Sequence, residues 1–478
     1  NILHNPPTLE KLKEATIRLK YEELFSFMFK INYLKERNRH NRSGWSKEVD
    51  FSKIESFLKQ LPFELTMDQR KAAQEILDDM NATSRMNRLL QGDVGSGKTV
   101  VAFIAMYASF LGGYQSALMA PTEILATQHY YNLKQLLQEY DIEIALLTGS
   151  VSKREKQQIY KGLADGTIHM VIGTHALIQE EVVYQNLGLV ITDEQHRFGV
   201  NQRANLTNKG REPDILYMSA TPIPRTYALT IYGDMDISTI KERPKGRMPI
   251  KTFVKTTKDM KDVLTLMLEE LKQQHQIYVI APLIEDNENS DLTTVYELRD
   301  KMNLAFGSKY HIDLVHGKMR AEAKEYVMQE FVQNKVNILI STTVIEVGVD
   351  VPNATMMVIF DANRFGLSTL HQLRGRVGRG TVASSCILIS DQDTKRLQIM
   401  ETVDDGFAIS EEDFKLRGHG DLFGTKQSGD MTFKIADLRQ DYKILLQAKK
   451  DSKMYLLDKS FDNDDVKKRL IEDVNYKK

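Results

Sequence analysis

The chain reads as α/β, with two tandem parallel-sheet lobes, a helical linker segment ahead of them and a helical and loop extension behind. Two observations carry this. From about residue 65, short apolar and β-branched runs alternate with amphipathic stretches: 88–91, 117–120, 169–173, 189–192 and 215–218, then again 277–280, 312–315, 336–340, 356–360 and 386–389. Strands separated by helical stretches run parallel, with helices packed on both faces of the sheet. Between the two series, Lys-Glu-Arg-Pro-Lys-Gly-Arg-Met-Pro at 241–249 breaks the pattern with the composition of an inter-domain connection.

Ahead of the first lobe, Leu9, Leu12, Leu19, Leu24, Phe25, Met28, Ile31 and Leu34 fall at helical spacing, so 8–37 reads as one or two helices that dock on another part of the protein. The polar stretch 37–46 reads as a loop. After about residue 430 the chain is charged and helical, with no strand signal. The expected divisions are 1–60, 61–243, 244–400 and 401–478.

With 42% hydrophobic and 27% charged residues the composition is that of an ordinary globular protein. The net charge of −1 makes any phosphate-binding surface a local patch. No apolar run is long enough to cross a bilayer, so no membrane contact is expected. The single cysteine, Cys386, lies in an apolar run and reads as a buried core residue; it excludes an internal disulfide framework and fits a cytoplasmic protein. The chain opens on Asn1 with no signal-peptide pattern, and reads as a piece of a longer protein.

Gly92-Asp93-Val94-Gly95-Ser96-Gly97-Lys98-Thr99 follows a predicted strand and opens a predicted helix, the context a phosphate loop requires. The glycines let the backbone curl so that N–H groups point at phosphates, and the helix dipole adds to that field. Lys98 is expected to reach the β- and γ-phosphates of ATP, and Thr99 to hold Mg²⁺. About a hundred residues on, the strand at 189–192 delivers Asp193 as a second Mg²⁺ group and Glu194 to orient and deprotonate water. Gln69, upstream in Leu65-Thr66-x-x-Gln69, is a candidate for reading adenine, while Thr66 could cap a helix.

Thr122, Thr148 and Thr174 each follow a strand and present hydroxyls where open α/β sheets bind ligands; such groups suit a phosphodiester backbone or a helix cap, while Thr221, closing another strand in Ser219-Ala220-Thr221, is a candidate for coupling the Mg²⁺ carboxylates to the DNA side. In the second lobe Gln372-Leu-Arg374-Gly375-Arg376-Val-Gly378-Arg379 places three arginines among glycines, so guanidinium groups can project into a cleft. Arg376 and Arg379 are candidate arginine fingers. Thr343, Gly348 and Asp350, just upstream, are candidates for touching nucleotide and DNA backbone.

Over residues 60–380 this set resembles the RecA-like lobes of superfamily 2 helicases. Asp193-Glu194-Gln195-His196-Arg197-Phe198-Gly199-Val200, Ser219-Ala220-Thr221-Pro222-Ile223-Pro224-Arg225-Thr226 and the glycine-rich run 413–429 resemble the RecG branch-migration helicases. The last run looks like a translocation motif shared with the transcription-repair coupling factor Mfd, whose motor is the alternative reading. The resemblance implies that ATP hydrolysis drives movement on double-stranded DNA and remodels forks and Holliday junctions. The glycines of that run allow sharp turns, and Arg417 and Lys426 are placed to meet DNA phosphates. The resemblance also implies that Arg396 and Gln427 lock a helical hairpin ahead of the loop, and that the protein works as a monomer, with single-stranded-DNA-binding protein as a partner. Such proteins carry an oligonucleotide-binding-fold wedge; nothing before residue 50 reads as that barrel, and 1–60 matches the helical connection after it.

Overall fold

The structure is a computed structural model describing residues 7–41, 46–221, 235–244, 248–282, 294–342, 350–380, 382–392, 394–417, 433–437, 441–461 and 464–475. Its strands are β1 (Asn87–Gly92), β2 (Gln115–Met119), β3 (Ile144–Leu147), β4 (Met170–Gly173), β5 (Leu187–Thr192), β6 (Asp214–Ser219), β7 (Asp236–Ile240), β8 (Lys251–Lys255), β9 (Gln276–Ile280), β10 (Ile312–Val315), β11 (Ile338–Ser341), β12 (Ala354–Ile359) and β13 (Ser385–Ile389). The helices are α1 (Leu9–Asn41), α2 (Phe51–Gln60), α3 (Met67–Asn81), α4 (Lys98–Leu111), α5 (Glu123–Leu136), α6 (Lys153–Asp165), α7 (Val200–Thr207), α8 (Met260–Lys272), α9 (Val295–Phe306), α10 (Ala321–Val332), α11 (Leu367–Arg374), α12 (Lys395–Thr402), α13 (Gly406–Arg417), α14 (Tyr442–Leu457) and α15 (Asp465–Asn475).

Two wholly parallel sheets form the lobes, in the orders β3-β4-β2-β5-β6-β1-β7 and β10-β11-β9-β12-β13-β8. Successive side chains of a strand face opposite ways, so each sheet builds a core on both faces. Leu118, Leu189, Ile191, Leu216 and Met218 pack under α4, whereas Ala117, Met119 and Val190 pack on the other side. The second sheet divides in the same way, with Ile280, Met357 and Ile359 on one face and Val279, Met356 and Val358 on the other. Cys386 is fully buried in the second lobe, and burial pushes its thiol up to about 12.

The two lobes repeat a local device. After β5 the chain passes Asp193 and Glu194, with Glu194 at φ +48°, then one 3₁₀ turn, Gln195–Arg197, and Gly199 as the N-cap of α7. After β12 it passes Phe360 and Asp361, with Asp361 at φ +48°, then a 3₁₀ turn, Ala362–Arg364, and Gly366 as the N-cap of α11. A left-handed backbone at a residue with a Cβ is strained and concentrates at functional turns.

Three strands outside the predicted runs, β3, β7 and β8, all lie at sheet edges. An edge strand is half solvated, and the Lys-Thr-Phe-Val-Lys of β8 accordingly lacks an unbroken apolar run. Residues 37–41, read as loop, continue α1 instead. Polarity alone does not end a helix, and the first strong breaker downstream is Gly44.

The helix α1 docks on α14, as its apolar spacing requires. Leu24 and Met28 pack with Leu445 and Ala448, Phe25 and Phe29 stack about Tyr455, and Asn32 Nδ2 donates to Ser452 Oγ at 2.9 Å. The Glu23 carboxylate accepts the N–H groups of Lys434, Ile435 and Ala436 at 2.6, 3.1 and 2.9 Å, which holds it below the usual carboxylate range despite its partial burial.

The segment entering α2 is pinned to the first lobe by a buried Lys47–Asp214 ion pair, both side chains being about 95% covered. Asp214 Oδ1 also accepts Met86 N–H at 2.7 Å. Removing one member strands the other charge in the interior. Lys47→Met therefore lowers the thermal unfolding midpoint by roughly 5 °C or more, and adding Asp214→Asn recovers most of that loss. A single variant melting within about 1 °C of the native protein would show that the pair carries no stability.

Candidate active site

β1 ends at Gly92, and the chain curls through 93–97 into α4. Gly95 and Gly97 lie at φ +73° and +83°, the left-handed region that glycine enters without cost. A Cβ at Gly97 would stand 2.2 Å from Gln69 Nε2. Gln69 itself was expected to read adenine. Its amide is instead engaged within the protein: Oε1 accepts Thr66 N–H at 2.9 Å, closing a capping box on α3, and Nε2 donates to Ser96 O at 2.8 Å. Gln69 therefore braces the loop from behind.

Ser96 is fully buried, and its hydroxyl sits where a Cβ on Gly92 would collide at 2.4 Å. Val94 is buried too, and its N–H goes to Asp93 Oδ1 at 2.7 Å. Lys98 Nζ donates to the carbonyls of Gly92 (2.8 Å) and Asp93 (2.9 Å), so the ammonium lies over its own loop. Thr99 is half-buried at the start of α4. Beside it opens a cavity of about 500 Å³ lined by Phe63, Val100, Phe103, Gln135 and Glu139, among others.

β6 lies between β1 and β5, so Ser219, Ala220 and Thr221 emerge between the loop and the two acids. Asp193 Oδ1 accepts Glu194 N–H at 2.9 Å, and Oδ2 faces His129 Nε2 at 3.0 Å. Burial opposes its charge, but the His129 contact and the Lys98 ammonium hold the Asp193 carboxyl below its ordinary range. Glu194 moves the other way. Burial and then the Asp193 charge raise it, with Lys98 and Arg376 pulling partly back. Its Oε2 accepts Ala220 N–H at 3.4 Å, and Thr221 Oγ1 meets Ser219 Oγ at 2.8 Å. Two adjacent carboxyls thus carry opposite tendencies, one anionic and one ready to accept a proton.

The second lobe closes the cleft. Gly375 abuts the phosphate loop so closely that an added Cβ would stand 2.9 Å from Val94 Cβ. Arg376, only 2% exposed, acts on the Glu194 carboxyl. Arg379 acts on Lys98, whose ammonium is pushed down first by burial and further by Arg379, against the pull of Glu194, Asp193 and Asp93. Arg379 Nη1 lies 3.5 Å from Asp350 Oδ1, and Asp350 N–H donates across the cleft to Gln128 Oε1 at 3.2 Å. Arg374, read as a third cleft guanidinium, turns the other way and donates to the carbonyls of Met400, Val403 and Asp404. It sits on α11, whereas Arg376 and Arg379 follow the helix end and are free of its spacing.

Of the residues expected at DNA, Thr122 caps α5 by accepting Leu125 N–H at 3.4 Å. Thr174 is buried, 2% exposed, and does not offer its hydroxyl to the surface, because the strand end packs beneath the following 3₁₀ turn. Arg396 donates to Phe365 O at 3.3 Å, and Arg417 ends α13. Thr343, Gly348, Lys426 and Gln427 lie outside the described residues. Four residues passed over in the sequence join the cleft: Gln128, His129, Arg243 and His371. For Gln128, His129 and His371 the available signal was polar residues inside α5 and α11, both of which bury an apolar face, whereas Arg243 lies in the connection between the lobes.

With this geometry in place, comparison with known proteins is specific. The DEAD/DEAH box helicase family profile matches residues 66–230, the helicase conserved C-terminal domain matches 258–381, and the C-terminal part of domain 3 of ATP-dependent DNA helicase RecG matches 403–472. The chain is 50% identical to ATP-dependent DNA helicase RecG of Bacillus subtilis over 455 residues, covering 94% of this chain and 67% of that one. It is 49% identical to RecG of Streptococcus pneumoniae, with the same coverage. A solved structure of RecG bound to a three-way DNA junction superposes with a TM-score of 0.76 at 43% identity, covering 92% of this chain and 58% of that one. The DEAD-box helicase Mss116 bound to ssRNA shares the fold alone, with a TM-score of 0.56 at 16% identity, covering 76% of this chain and 82% of that one. The chain thus spans about two thirds of the curated relatives and less of the solved one, and it belongs to the RecG family of ATP-dependent DNA helicases.

Proposed function

We propose that ATP hydrolysis in the cleft between the lobes moves this protein along double-stranded DNA and remodels branched DNA, namely stalled forks and Holliday junctions. The observation that carries the reading is that the second lobe abuts the phosphate loop at Gly375 and Val94, which puts Arg376 and Arg379 into the electrostatic environment of Glu194 and Lys98. The family, and a relative whose structure was solved on a three-way DNA junction, support the branched substrate. Nothing in the fold or its relatives favours the motor of the coupling factor Mfd. The reading includes a division at residues 60, 243 and 400, action as a monomer in the bacterial cytoplasm at the nucleoid, and single-stranded-DNA-binding protein as a partner.

In this mechanism Lys98 leaves the carbonyls of Gly92 and Asp93 for the β- and γ-phosphates, and the N–H groups of 92–99 cradle them. Thr99 and Asp193 would hold Mg²⁺. The donor set fits: the Asp193 carboxyl is held anionic, and Thr99 stands half-buried at the start of α4. When bound, Mg²⁺ neutralises charge between the phosphates. Glu194 orients and deprotonates the attacking water. Arg376 and Arg379 stabilise charge on the transferring phosphoryl group, and Asp350 steadies Arg379. On the DNA side, Thr122, Thr221 and Thr343 meet backbone phosphates, Arg417 grips the duplex, and Arg396 and Gln427 hold the helices ahead of the translocation loop.

Glu194→Gln retains ATP binding and loses roughly a hundred-fold or more of DNA-stimulated turnover, whereas Lys98→Ala loses both; unchanged turnover in either would place the site elsewhere. Arg376→Ala and Arg379→Ala each reduce kcat by about a thousand-fold, with nucleotide affinity in the lobe-one site retained. Loss of binding without loss of kcat would make them ground-state anchors. Gln427→Ala leaves ATPase activity in place while fork unwinding falls, so an equal fall in both rates would count against coupling.

A further inference from the structure

A buried hydrogen-bonded chain runs from the phosphate loop into the second lobe. The Asp93 side chain, 8% exposed, meets His371 Nε2 at 2.6 Å. His371 Nδ1 faces Arg374 Nη2 at 3.1 Å. A guanidinium carries donors only. Nδ1 must therefore accept, so Nε2 holds the proton and donates it to Asp93, and one tautomer is fixed. Arg374, 2% exposed, directs its remaining donors to the carbonyls of Met400 (3.0 Å), Val403 (3.0 Å) and Asp404 (3.2 Å). Those carbonyls form the joint between α12 and α13.

Two neighbours tighten the joint. Arg243, from the connection between the lobes, lies 3.5 Å from Asp93 Oδ2 and donates to Asp404 O at 2.6 Å. Gly406, the first residue of α13, leaves no room: a Cβ there would stand 2.6 Å from His371 Nε2 and 2.8 Å from Asp93 Oδ1. At its far end, α13 leads directly into the glycine-rich run.

We propose that Asp93, His371 and Arg374 form a relay that sets the α12–α13 joint according to the state of the phosphate loop, with His371 as its positioning residue. The proposal rests on the reading that 92–99 holds ATP. Lys98 donates to the Asp93 carbonyl in this structure. A phosphate that draws the ammonium away releases the carbonyl of the same residue whose carboxylate holds His371. Charge-assisted bonds in a buried site are short and directional, so a shift of Asp93 is passed on rather than absorbed by solvent.

The test uses the full chain on duplex DNA, measuring ATPase activity with and without DNA alongside displacement of a triplex-forming strand. Lys98→Ala serves as the control: if it leaves turnover intact, the ATP-site reading fails, independently of the relay. With that control satisfied, His371→Ala is expected to lose about ten-fold or more of strand displacement per ATP hydrolysed. His371→Gln, which can donate to Asp93 and accept from Arg374, should restore most of the displacement. Gly406→Ala, pressing on the joint from the α13 side, should reproduce the uncoupling. The proposal is overturned if His371→Ala displaces strands normally per ATP, if both activities fall in equal proportion, or if glutamine is as defective as alanine.

Discussion

Lys98, Arg376 and Arg379 bring three positive charges into one largely closed cleft, where Glu194, Asp193 and Asp93 act on Lys98 and Asp350 lies against Arg379. In a medium of low effective dielectric such crowding is unfavourable until a polyanion enters. The downward push on Lys98 comes first from burial, against the pull of Glu194, Asp193 and Asp93, and Arg379 adds to it. A triphosphate relieves it. Under the proposed function, closure of the second lobe on the first would thereby be tied to nucleotide charge, and a ligand that distinguishes the closed cleft from the open one is what a two-state motor requires.

The two lobes achieve this with one plan put to different uses. Each ends a central strand in a left-handed acidic residue, a 3₁₀ turn and a glycine-capped helix. In the first lobe that turn carries the adjacent acids Asp193 and Glu194. In the second it carries Asp361 alone, and the helix that follows leads to Arg376 and Arg379. Glycine placement completes the fit, since Gly375 permits the second lobe to touch Val94 where any side chain would separate them.

Much of this was legible in the sequence because central parallel strands are buried on both faces and read as unbroken apolar runs. The edge strands β7 and β8 were not, since solvation of an edge breaks that pattern, whereas β3, Ile-Ala-Leu-Leu, is an apolar run that was not singled out. Within the site, the phosphate loop and the Asp193–Glu194 pair stood out by spacing. Gln69 did not reveal its partner: an amide that can read adenine can equally brace a loop, and only tertiary packing brings Ser96 to it. The structural role of Arg374, two residues before Arg376, was hidden for the same reason, because only tertiary packing brings the carbonyls of Met400, Val403 and Asp404 to it. His129 and His371 each act across long sequence separations, on Asp193 and Asp93, which no local pattern encodes.

The central claim is that guanidinium groups of the second lobe complete a nucleotide held by the first. The most direct measurement is a structure of the chain with ADP, Mg²⁺ and aluminium fluoride in place of the transferring phosphoryl group. The account predicts that Arg376 and Arg379 both lie within hydrogen-bond reach, about 3 Å, of the fluoride ligands, with Glu194 on the attacking water. A well-ordered complex in which both arginines stay more than about 6 Å from that group, beyond any direct hydrogen bond, would contradict it.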